Sequence, residues 1–206
     1  MNDKFFQLPE KKQHMILNAG YRVFSRSSYK KCPVSEIADN AGISKSLLFY
    51  YFRNKRELYL YLLEKGAKIT VDYLNKFKCY DGEDFFDIMH RGLKAKAALM
   101  RKYPNLATFV MKAYYETDSD VKGSIMKIIE KHGSYEVNAE LLRLNKDKFV
   151  EGIDLEMMYH EMYWAGEGYL WNKIQSGRLD PDEMERDFGR LIDFWKSVYY
   201  RKEGEK

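Results

Sequence analysis

The sequence predicts an all-α protein of about nine helices, with a three-helix helix-turn-helix domain at the N-terminus and a larger helical domain after it. Apolar residues recur at intervals of three and four along most of the chain, which is the spacing of one face of an α-helix. Only 4 prolines occur in 206 residues and glycine-rich stretches are few, which disfavours an all-β fold. The stretch Val34–Leu58 has the spacing of a helix-turn-helix.

The first helix is predicted from about Leu8 to Ser25. Its expected buried face carries Met15, Ile16, Ala19 and Val23. Pro33 suits the start of the second helix, because proline fixes φ and the first helical position needs no backbone donor.

The second and third helices are predicted from the spacing of Ala38 and Gly42, which are four residues apart. A small residue lets two crossing helices approach closely, and glycine allows the turn between them. The apolar positions expected to hold the two helices together are Ile37, Ala41, Ile43 and Leu48. Ser44 stands where an N-cap is required, so the third helix should begin at Lys45 and expose its first turn.

Four more helices are predicted before a loop at residues 147–152. They are expected at about Lys55–Phe77, from near Glu83, from Pro104, and from Asp118 to about Leu144. The first of them follows the third helix directly, so we expect it to join the N-terminal domain to the rest of the chain without a flexible linker. The predicted domains are residues 1–54, with the helix-turn-helix, and residues 55–206, with the remaining helices.

The last two helices are predicted at about Asp154–Ser176 and after Pro181. One stripe of the earlier helix contains Leu155, Met158, Met162, Ala165 and Tyr169, and a second contains Met157, Trp164, Gly168 and Trp171. A helix with two apolar sides is expected to be buried twice, once in its own core and once in a partner. The alternative is that both stripes belong to the core of one chain. The last helix carries a single seam of Met184, Phe188, Leu191, Trp195 and Val198.

Composition excludes several classes of protein. Hydrophobic residues make up 45% and charged residues 32%, as in ordinary folded proteins. No window of about 18 apolar residues occurs and the N-terminus lacks an apolar signal segment, so we expect no membrane span and a cytoplasmic location. Cys32 and Cys79 are far apart, which indicates neither a disulfide framework nor a CxxC metal site.

Charge is distributed unevenly along the chain. Residues 1–66 contain 12 Lys and Arg against 6 Asp and Glu, a net charge of +6, whereas the remainder has a net charge of −2. The positive charge therefore lies in the segment with the helix-turn-helix spacing, which is the asymmetry that phosphate binding requires. Surface lysines are common, so charge alone is modest support for DNA binding.

No catalytic pattern is present in the sequence. His160 and Glu161 begin an HExxH pattern, but Trp164 stands where the second histidine is required. GxSxG, Walker A and GxGxxG motifs are absent. His132 and Glu136 fall on one helical face and could bind a metal, but a solvated pair is the simpler interpretation. We therefore expect no enzymatic activity, no cofactor and no metal.

The segment from about Lys11 to Glu64 resembles the DNA-binding domain of the TetR family of transcriptional regulators. The matching positions are Ile16, Ala19, Phe24, Tyr29, Val34, Ile37, Ala38, Ala41 to Lys45, Leu48 to Phe52, Asn54, Lys55 and Leu58. The sequence departs from the family at Ser28 (for glycine), at Cys32 and Pro33 (for a Thr-Ser/Thr pair) and at Phe49 (for tyrosine). The rest of the chain matches the family only in length and helical character.

The motif and the resemblance together predict seven residues at a DNA interface. Ser44 and Lys45 would lie at a helix N-terminus, where free amides and the helix dipole attract phosphate. Base edges are expected to face Ser46, Leu47 and Tyr50, with Leu47 able to pack on a thymine methyl group. The other two are Tyr51, as a backbone or sugar contact, and Lys55, which resembles the family's phosphate-binding lysine. Packing inside the small domain is the alternative for Tyr51, and it is the preferred interpretation for Phe52.

The C-terminal part is rich in aromatic residues and methionine, which suits a pocket for a medium-sized apolar or aromatic molecule. The predicted pocket residues are Tyr103, Phe109, Tyr114, Glu116, Met162 and Tyr163. Glu116 could face a cationic ligand, with aromatic faces assisting. For each residue taken singly, core packing is the stronger interpretation, because such stripes at helical spacing are usually core.

The resemblance implies a homodimer in which the last two helices of each subunit form a four-helix interface. The predicted interface residues are Met158, Gly166, Tyr169, Phe188, Leu191 and Trp195. We interpret the chain as a repressor that binds a palindromic operator in double-stranded DNA and is released by a small-molecule effector. Two alternatives remain: a ligand-binding protein or enzyme whose helix-turn-helix is only structural, and a non-specific nucleoid-type DNA-binding protein.

Overall fold

The computed structural model describes residues 2–79, 81–82, 84–132 and 146–202, and the regular structure of these residues is helical. Nine α-helices lie within them. They are α1 (Glu10–Phe24), α2 (Val34–Asn40), α3 (Lys45–Tyr51), α4 (Lys55–Lys76), α5 (Phe85–Lys102), α6 (Leu106–Tyr114), α7 (Lys122–His132), α8 (Leu155–Gln175) and α9 (Pro181–Tyr199). Short 3-10 turns occur at Asp3–Phe5 and Lys146–Lys148. The predicted all-α fold is confirmed, and none of the described helices is long and apolar enough to cross a bilayer.

Several helices begin at a capping side chain, and the one at Ser44 was predicted from the sequence. The Ser44 Oγ accepts a hydrogen bond from the Leu47 N–H at 3.1 Å, at the start of α3. Asp154 and Asp180 cap α8 and α9 in the same way, with oxygen-to-nitrogen distances of 3.0 and 2.7 Å. These side chains satisfy amides that have no partner inside the helix, so the helices start where the sequence provides the acceptor.

Two predicted helices differ in extent from the described ones. α5 is described from Phe85, whereas Glu83, near which it was predicted to start, lies outside the described residues. α7 begins at Lys122 and not at Asp118, because residues 119–121 form a turn. Residues 133–144, which were predicted to continue α7, also lie outside the described part of the chain.

The described helices belong to two compact units, and the division runs through α4 and near the end of α5. The first unit extends to Ile69 and resumes at Lys102 with α6 and α7, so it contains the helix-turn-helix. The second contains the end of α4, most of α5, α8 and α9. The predicted division at residues 54 and 55 concerns function, and it stays a prediction.

Aromatic rings form the centre of the first unit. The ring centroids of Phe24, Tyr59 and Phe109 lie 4.9 to 6.0 Å apart. The Tyr21 ring packs 5.4 Å from that of Phe109, and its hydroxyl donates to the Leu62 carbonyl at 3.2 Å. α1, α4 and α6 therefore share one core, and burial raises the pKa of the Tyr21 hydroxyl.

The segment after α9 closes the second unit. An isolated antiparallel bridge joins Phe149 and Tyr200, and the Val150 N–H donates to the Tyr199 carbonyl at 2.9 Å. The ring centroids of Phe86, Phe149 and Tyr200 lie 4.8 to 6.2 Å apart. Residues at the end of α9 thus pack on the loop before α8 and on the start of α5.

Glu64 ties α4 to α7 within the first unit. Its Oε1 accepts a hydrogen bond from Lys131 Nζ at 2.8 Å, and the His132 Nε2 lies 2.9 Å from the same oxygen. The hydrogen bond from Lys131 is the larger of two contacts that hold the pKa of the Glu64 carboxyl below its usual value, and the contact with His132 is the smaller. A carboxyl whose pKa is lower in the folded state stabilises the fold above its unfolded-state pKa, and this stabilisation is lost as the pH falls.

We expect Glu64→Gln to lower the free energy of unfolding at pH 7 by on the order of 1 kcal/mol, because a charge-assisted hydrogen bond is weakened. The deficit should be smaller at about pH 3 than at pH 7, because the unfolded chain protonates this carboxyl near its usual pKa and the fold loses the contribution as the pH falls toward the lowered pKa of Glu64. Denaturant unfolding at both pH values measures the difference. Glu151→Gln, at an exposed loop carboxylate, serves as the control. An equal deficit for Glu64→Gln at both pH values would contradict this role.

Candidate nucleic-acid interface

α2 and α3 pack tightly against each other around the turn at residues 41–44. Ile37, Ala38 and Leu48 are completely buried. The Ile43 N–H donates to the Ala38 carbonyl at 3.0 Å. Gly42 has a φ of +63°, a conformation that residues with a side chain rarely adopt, so glycine is required in this turn.

α3 exposes its first two turns on one side. Ser44, Lys45 and Ser46 are exposed, Leu47 is half-buried, and Tyr50 is 53% exposed. Residues three and four apart share a helical face, so Leu47 and Ser46 lie beside Tyr50. We call these five residues the recognition face. They are five of the seven residues predicted to contact DNA.

Tyr51 lies on the buried side of α3. Its side chain is only 7% exposed, and its ring centroid lies 6.0 Å from that of Phe5. Phe52 is completely buried, as preferred from the sequence. Little of the Tyr51 side chain is available to DNA, so the structure favours the alternative that it packs inside the unit.

Lys55, at the start of α4, is half-buried and has local partners. Its Nζ donates to the Lys30 carbonyl at 3.1 Å and lies 4.6 Å from the centre of the Tyr29 ring. An ammonium group has three donors, so Lys55 keeps the capacity to bind a phosphate oxygen. Lys30 and Lys31 are exposed just before α2, and the sequence analysis did not single them out. Two consecutive lysines beside the motif were the signal that could have identified them.

An acidic turn between α6 and α7 holds the residues that flank the helix-turn-helix. The Tyr29 N–H donates to Glu116 Oε2 at 2.8 Å, and the Tyr29 hydroxyl donates to the Asp120 carboxylate. Arg56 donates to the Asp120 carbonyl at 2.8 Å and to Ser124 Oγ at 2.7 Å. Burial and the bond to Asp120 raise the pKa of the Tyr29 hydroxyl. The start of α4 and the segment before α2 are therefore fixed to the same turn.

The predicted pocket residues are divided between the two compact units. Tyr103, Phe109, Tyr114 and Glu116 belong to the first unit, and Met162 and Tyr163 belong to the second. Phe109 is 1% exposed inside the aromatic core, and Tyr103 is 4% exposed beside His14. Met162 is also buried, whereas Tyr114 and Tyr163 are half-buried. A common ligand site for these residues stays a prediction.

Glu116 has a set of backbone partners. Besides the Tyr29 N–H, its carboxylate accepts hydrogen bonds from the N–H groups of Thr117 and Asp118 at 3.0 and 3.1 Å. Three backbone donors around one carboxylate indicate that Glu116 organises the turn after α6. This arrangement weakens the case for Glu116 as the partner of a cationic ligand.

A surface cleft of about 520 Å³ lies along α4 in the first unit. The described residues that line it are Arg53, Asn54, Arg56, Glu57, Leu60, Tyr61, Glu64 and Ile128. None of the six predicted pocket residues is among them. Its lining combines charged side chains with Leu60, Tyr61 and Ile128, whereas the sequence predicted a mainly aromatic and methionine-rich lining for a ligand site.

Most of the predicted dimer-interface residues pack within the single chain. Met158 and Trp195 are each 3% exposed. The Tyr169 ring centroid lies 4.9 Å from that of Phe188, and a Cβ on Gly166 would meet the same phenylalanine ring at 3.7 Å. These five residues therefore serve the contact between α8 and α9 or the core of the second unit. Leu191, the sixth, is half-buried.

Other apolar side chains on α8 and α9 are exposed in the single chain. We call them the outer stripes: Met157, Trp164 and Trp171 on α8, with exposed fractions of 54%, 57% and 39%, and Phe194 and Val198 on α9, with 58% and 47%. Exposed apolar side chains of this size are typical of surfaces that bind another protein. The structure therefore places the second apolar side of α8, which the sequence indicated, at the surface.

Metal-ligating side chains do not cluster in the part of the chain that the structure describes. No group of three or more His, Cys, Asp and Glu residues there could hold a metal ion. Of the pair considered from the sequence, His132 contacts Glu64, and Glu136 lies outside the described residues.

Comparison with known proteins finds that the segment containing α2 and α3 is similar to the helix-turn-helix part of bacterial transcriptional regulators. Residues 16–62 match the family model described as "Bacterial regulatory proteins, tetR family". Over 95 residues the chain is 32% identical to the HTH-type transcriptional regulator RutR of Escherichia coli K12. That match covers 45% of this chain and 43% of RutR, so the chain spans less than half the length of this curated relative.

Solved structures extend the likeness to the whole fold. A TetR family transcriptional regulator from Chloroflexus aurantiacus J-10-FL has a TM-score of 0.72 and 21% identity, covering 98% of this chain and 99% of that one. The transcriptional regulator FadR from Bacillus subtilis, solved in complex with stearoyl-CoA, has a TM-score of 0.66 and 14% identity, covering 89% of this chain and 97% of that one. Residues 16–62 are thus similar to the TetR family model, and the fold of the chain is similar to that of solved TetR-family regulators.

Proposed function

We propose that this protein is a DNA-binding transcriptional repressor that acts as a homodimer on a palindromic operator in the cytoplasm and is released from it by a small molecule. The observation that carries the proposal is the recognition face. It is exposed, it begins at a capped helix start, and it follows a rigid glycine turn. Such a helix fits the major groove, where base edges can be read.

Electrostatics supports the assignment of this face to DNA. Lys45 belongs to the recognition face, and Lys30, Lys31 and Lys55 lie in the segments that flank α2 and α3. Phosphate contacts from such lysines position a protein on the duplex, whereas contacts to base edges specify the sequence. We therefore assign Ser46, Leu47 and Tyr50 to base reading and the lysines to the backbone.

The outer stripes support a homodimer. One short helix contacts too few base pairs for a unique site, and two-fold symmetry on a palindrome doubles the contacts. Burying Trp164, Trp171 and Phe194 against a second copy would remove large apolar surfaces from water. We place the dimer interface on these stripes and not on the residues that α8 and α9 already bury against each other.

We propose an apolar or aromatic effector. The complex of Bacillus subtilis FadR, a protein of similar fold, with stearoyl-CoA supports an effector with a large apolar part. The effector would favour a conformation in which the two recognition helices no longer match successive major grooves. The effector can shift the protein only as far as it binds that conformation more tightly than the DNA-binding one. The factor by which the effector weakens DNA binding equals the factor by which DNA weakens effector binding.

The experiment that tests the proposal is a selection of bound DNA from a random duplex library at physiological salt. Recovery of a palindrome with two half-sites would support a specific dimeric regulator. Enrichment of no sequence, together with binding to any duplex, would contradict it in favour of a nucleoid-type protein. Absence of all DNA binding would favour a ligand-binding protein with a purely structural helix-turn-helix.

We expect Lys45→Ala to weaken binding to the selected operator and to random DNA by a similar factor. Losing one phosphate contact should reduce the slope of log affinity against log salt concentration by about 1. Fluorescence anisotropy titrations at several salt concentrations measure both quantities. Lys94→Ala, which removes an exposed lysine from α5, should leave the slope unchanged. An unchanged slope in Lys45→Ala would refute the phosphate assignment.

A further inference from the structure

The residues before α1 fold onto the C-terminal end of α3, which carries the recognition face and is called the recognition helix below. We call residues 2–8 the N-terminal strap. The Asn2 N–H donates to the Tyr51 carbonyl at 2.9 Å, and the Asn2 Oδ1 accepts from the Lys4 N–H at 3.0 Å. The 3-10 turn that follows ends at Phe5, which is completely buried. The strap therefore has a defined path and a buried anchor.

The anchor lies between the end of α3 and the start of α4. The Phe5 ring centroid is 5.0 Å from that of Phe52, 6.0 Å from that of Tyr51 and 5.5 Å from that of Tyr61. The Phe52 and Tyr61 rings are themselves 5.4 Å apart. Phe5 thus fills the space between the helix that carries the recognition face and the helix that follows it.

The hydrogen bond from Asn2 supplies a partner that α3 lacks. The last carbonyls of a helix have no N–H donor inside it, and Tyr51 is the last residue of α3. Within α3 the Leu48 carbonyl is satisfied by the Phe52 N–H at 2.9 Å. The strap satisfies the Tyr51 carbonyl from outside, so it fixes the C-terminal end of a helix that has only seven residues.

The strap is also tied to α1. Gln13 Nε2 donates to the Leu8 carbonyl at 2.9 Å and to the Phe6 carbonyl at 3.3 Å. One end of the strap is therefore held by α3 and the other by α1. Because the strap is held at both ends, a change in the position of α1 would also move the C-terminal end of the recognition helix.

We propose that the N-terminal strap is a positioning element for the recognition helix, with Phe5 as its anchor and the Asn2 N–H as its contact to α3. This inference rests on the proposed DNA-binding function. Contacts to base edges require a fixed helix, because hydrogen bonds weaken steeply with distance and angle. The electrostatic attraction between lysines and phosphates does not depend on a fixed helix in this way. Releasing the strap should therefore lower affinity for the operator much more than affinity for random DNA.

A pair of variants at one position isolates the main-chain hydrogen bond. Asn2→Pro removes the N–H, and the φ of −91° and ψ of 132° at Asn2 are close to values that proline adopts. Asn2→Ala removes only the side-chain bond to Lys4 and keeps the N–H. We expect Asn2→Pro to bind the selected operator about 3- to 10-fold more weakly than Asn2→Ala, which corresponds to the loss of one hydrogen bond. Random duplex of the same length should bind both variants equally.

A second pair tests the anchor. Phe5→Ala should lower the ratio of operator affinity to random-DNA affinity, and Phe5→Leu, which still fills most of the space, should restore most of it. Circular dichroism at the assay temperature confirms that each variant is folded. A merely structural strap would lower the melting temperature and leave this ratio unchanged, which would overturn the proposal. If the wild type itself shows no preference for any sequence, the proposed function fails and the inference fails with it.

Discussion

Trp164→Glu is expected to convert the protein from a dimer to a monomer and to lower its affinity for the operator by about 100-fold or more. Trp164 is 57% exposed in the single chain and lies seven residues from both Met157 and Trp171, on one stripe of α8. A carboxylate placed in an apolar interface loses hydration without gaining a partner. A monomer binds only one half-site, and the second half-site of a linked pair commonly contributes a factor of about 10² to 10⁴. Sedimentation velocity and operator titration measure the two effects.

Trp164→Phe is the matched control, because it keeps a large apolar side chain at the same position and should remain dimeric. Trp195→Glu is a poor test of the interface. Trp195 is 3% exposed in the single chain, so a charge there is expected to unfold the second unit whether or not a dimer forms. A Trp164→Glu variant that sediments as a dimer would show that the outer stripe of α8 is not the interface.

Phe109→Ala is expected to lower the free energy of unfolding by about 3 to 5 kcal/mol, as truncations of buried aromatic residues do. Phe109 is 1% exposed, and its ring contacts those of Tyr21, Phe24 and Tyr59. The substitution would leave a cavity where α1, α4 and α6 meet. Urea unfolding, followed by circular dichroism, measures the change.

The result decides between two roles for Phe109. A residue that only lines a ligand pocket has open space on one side and contributes less to stability. Tyr114→Ala is the control, since Tyr114 is on the same helix, belongs to the same predicted pocket and is only half-buried. A loss below about 1 kcal/mol for Phe109→Ala would argue for a pocket position and against the core role.

Helix starts were predictable because their causes are local. A serine or aspartate that accepts a hydrogen bond from an amide two or three residues ahead marks a helix start in the sequence itself, as Ser44, Asp154 and Asp180 do. The glycine turn at Gly42 is equally local, because residues with a side chain rarely adopt its positive φ. The helix-turn-helix could therefore be predicted to within a residue or two.

The direction of the apolar stripes on α8 could not be predicted in the same way. Met158 and Met157 are adjacent and chemically identical, yet one is buried in the chain and the other is 54% exposed. Which side faces inward depends on the position of α9, which no local pattern specifies. For this reason the sequence alone could not separate residues that α8 and α9 pack against each other from residues at a dimer interface, and the predicted interface stays a prediction.

The predicted pocket stays a prediction for a related reason. An aromatic side chain in a core and one in a ligand pocket have the same sequence pattern, so Phe109 could not be assigned without its neighbours. The strap was missed because residues 2–8 have no helical periodicity, and two adjacent phenylalanines give no indication of which one is buried. Phe5 is completely buried and Phe6 is 53% exposed.

The bridge between Phe149 and Tyr200 has a consequence for the order of events during synthesis. Every described residue of the first unit precedes position 133, so this part of the chain emerges from the ribosome before α8 and α9 have emerged. The second unit lacks its closing contact until Tyr200 has left the exit tunnel. A nascent chain can therefore present a folded helix-turn-helix before it has the outer stripes with which to pair, and we expect subunit assembly to follow translation of α9.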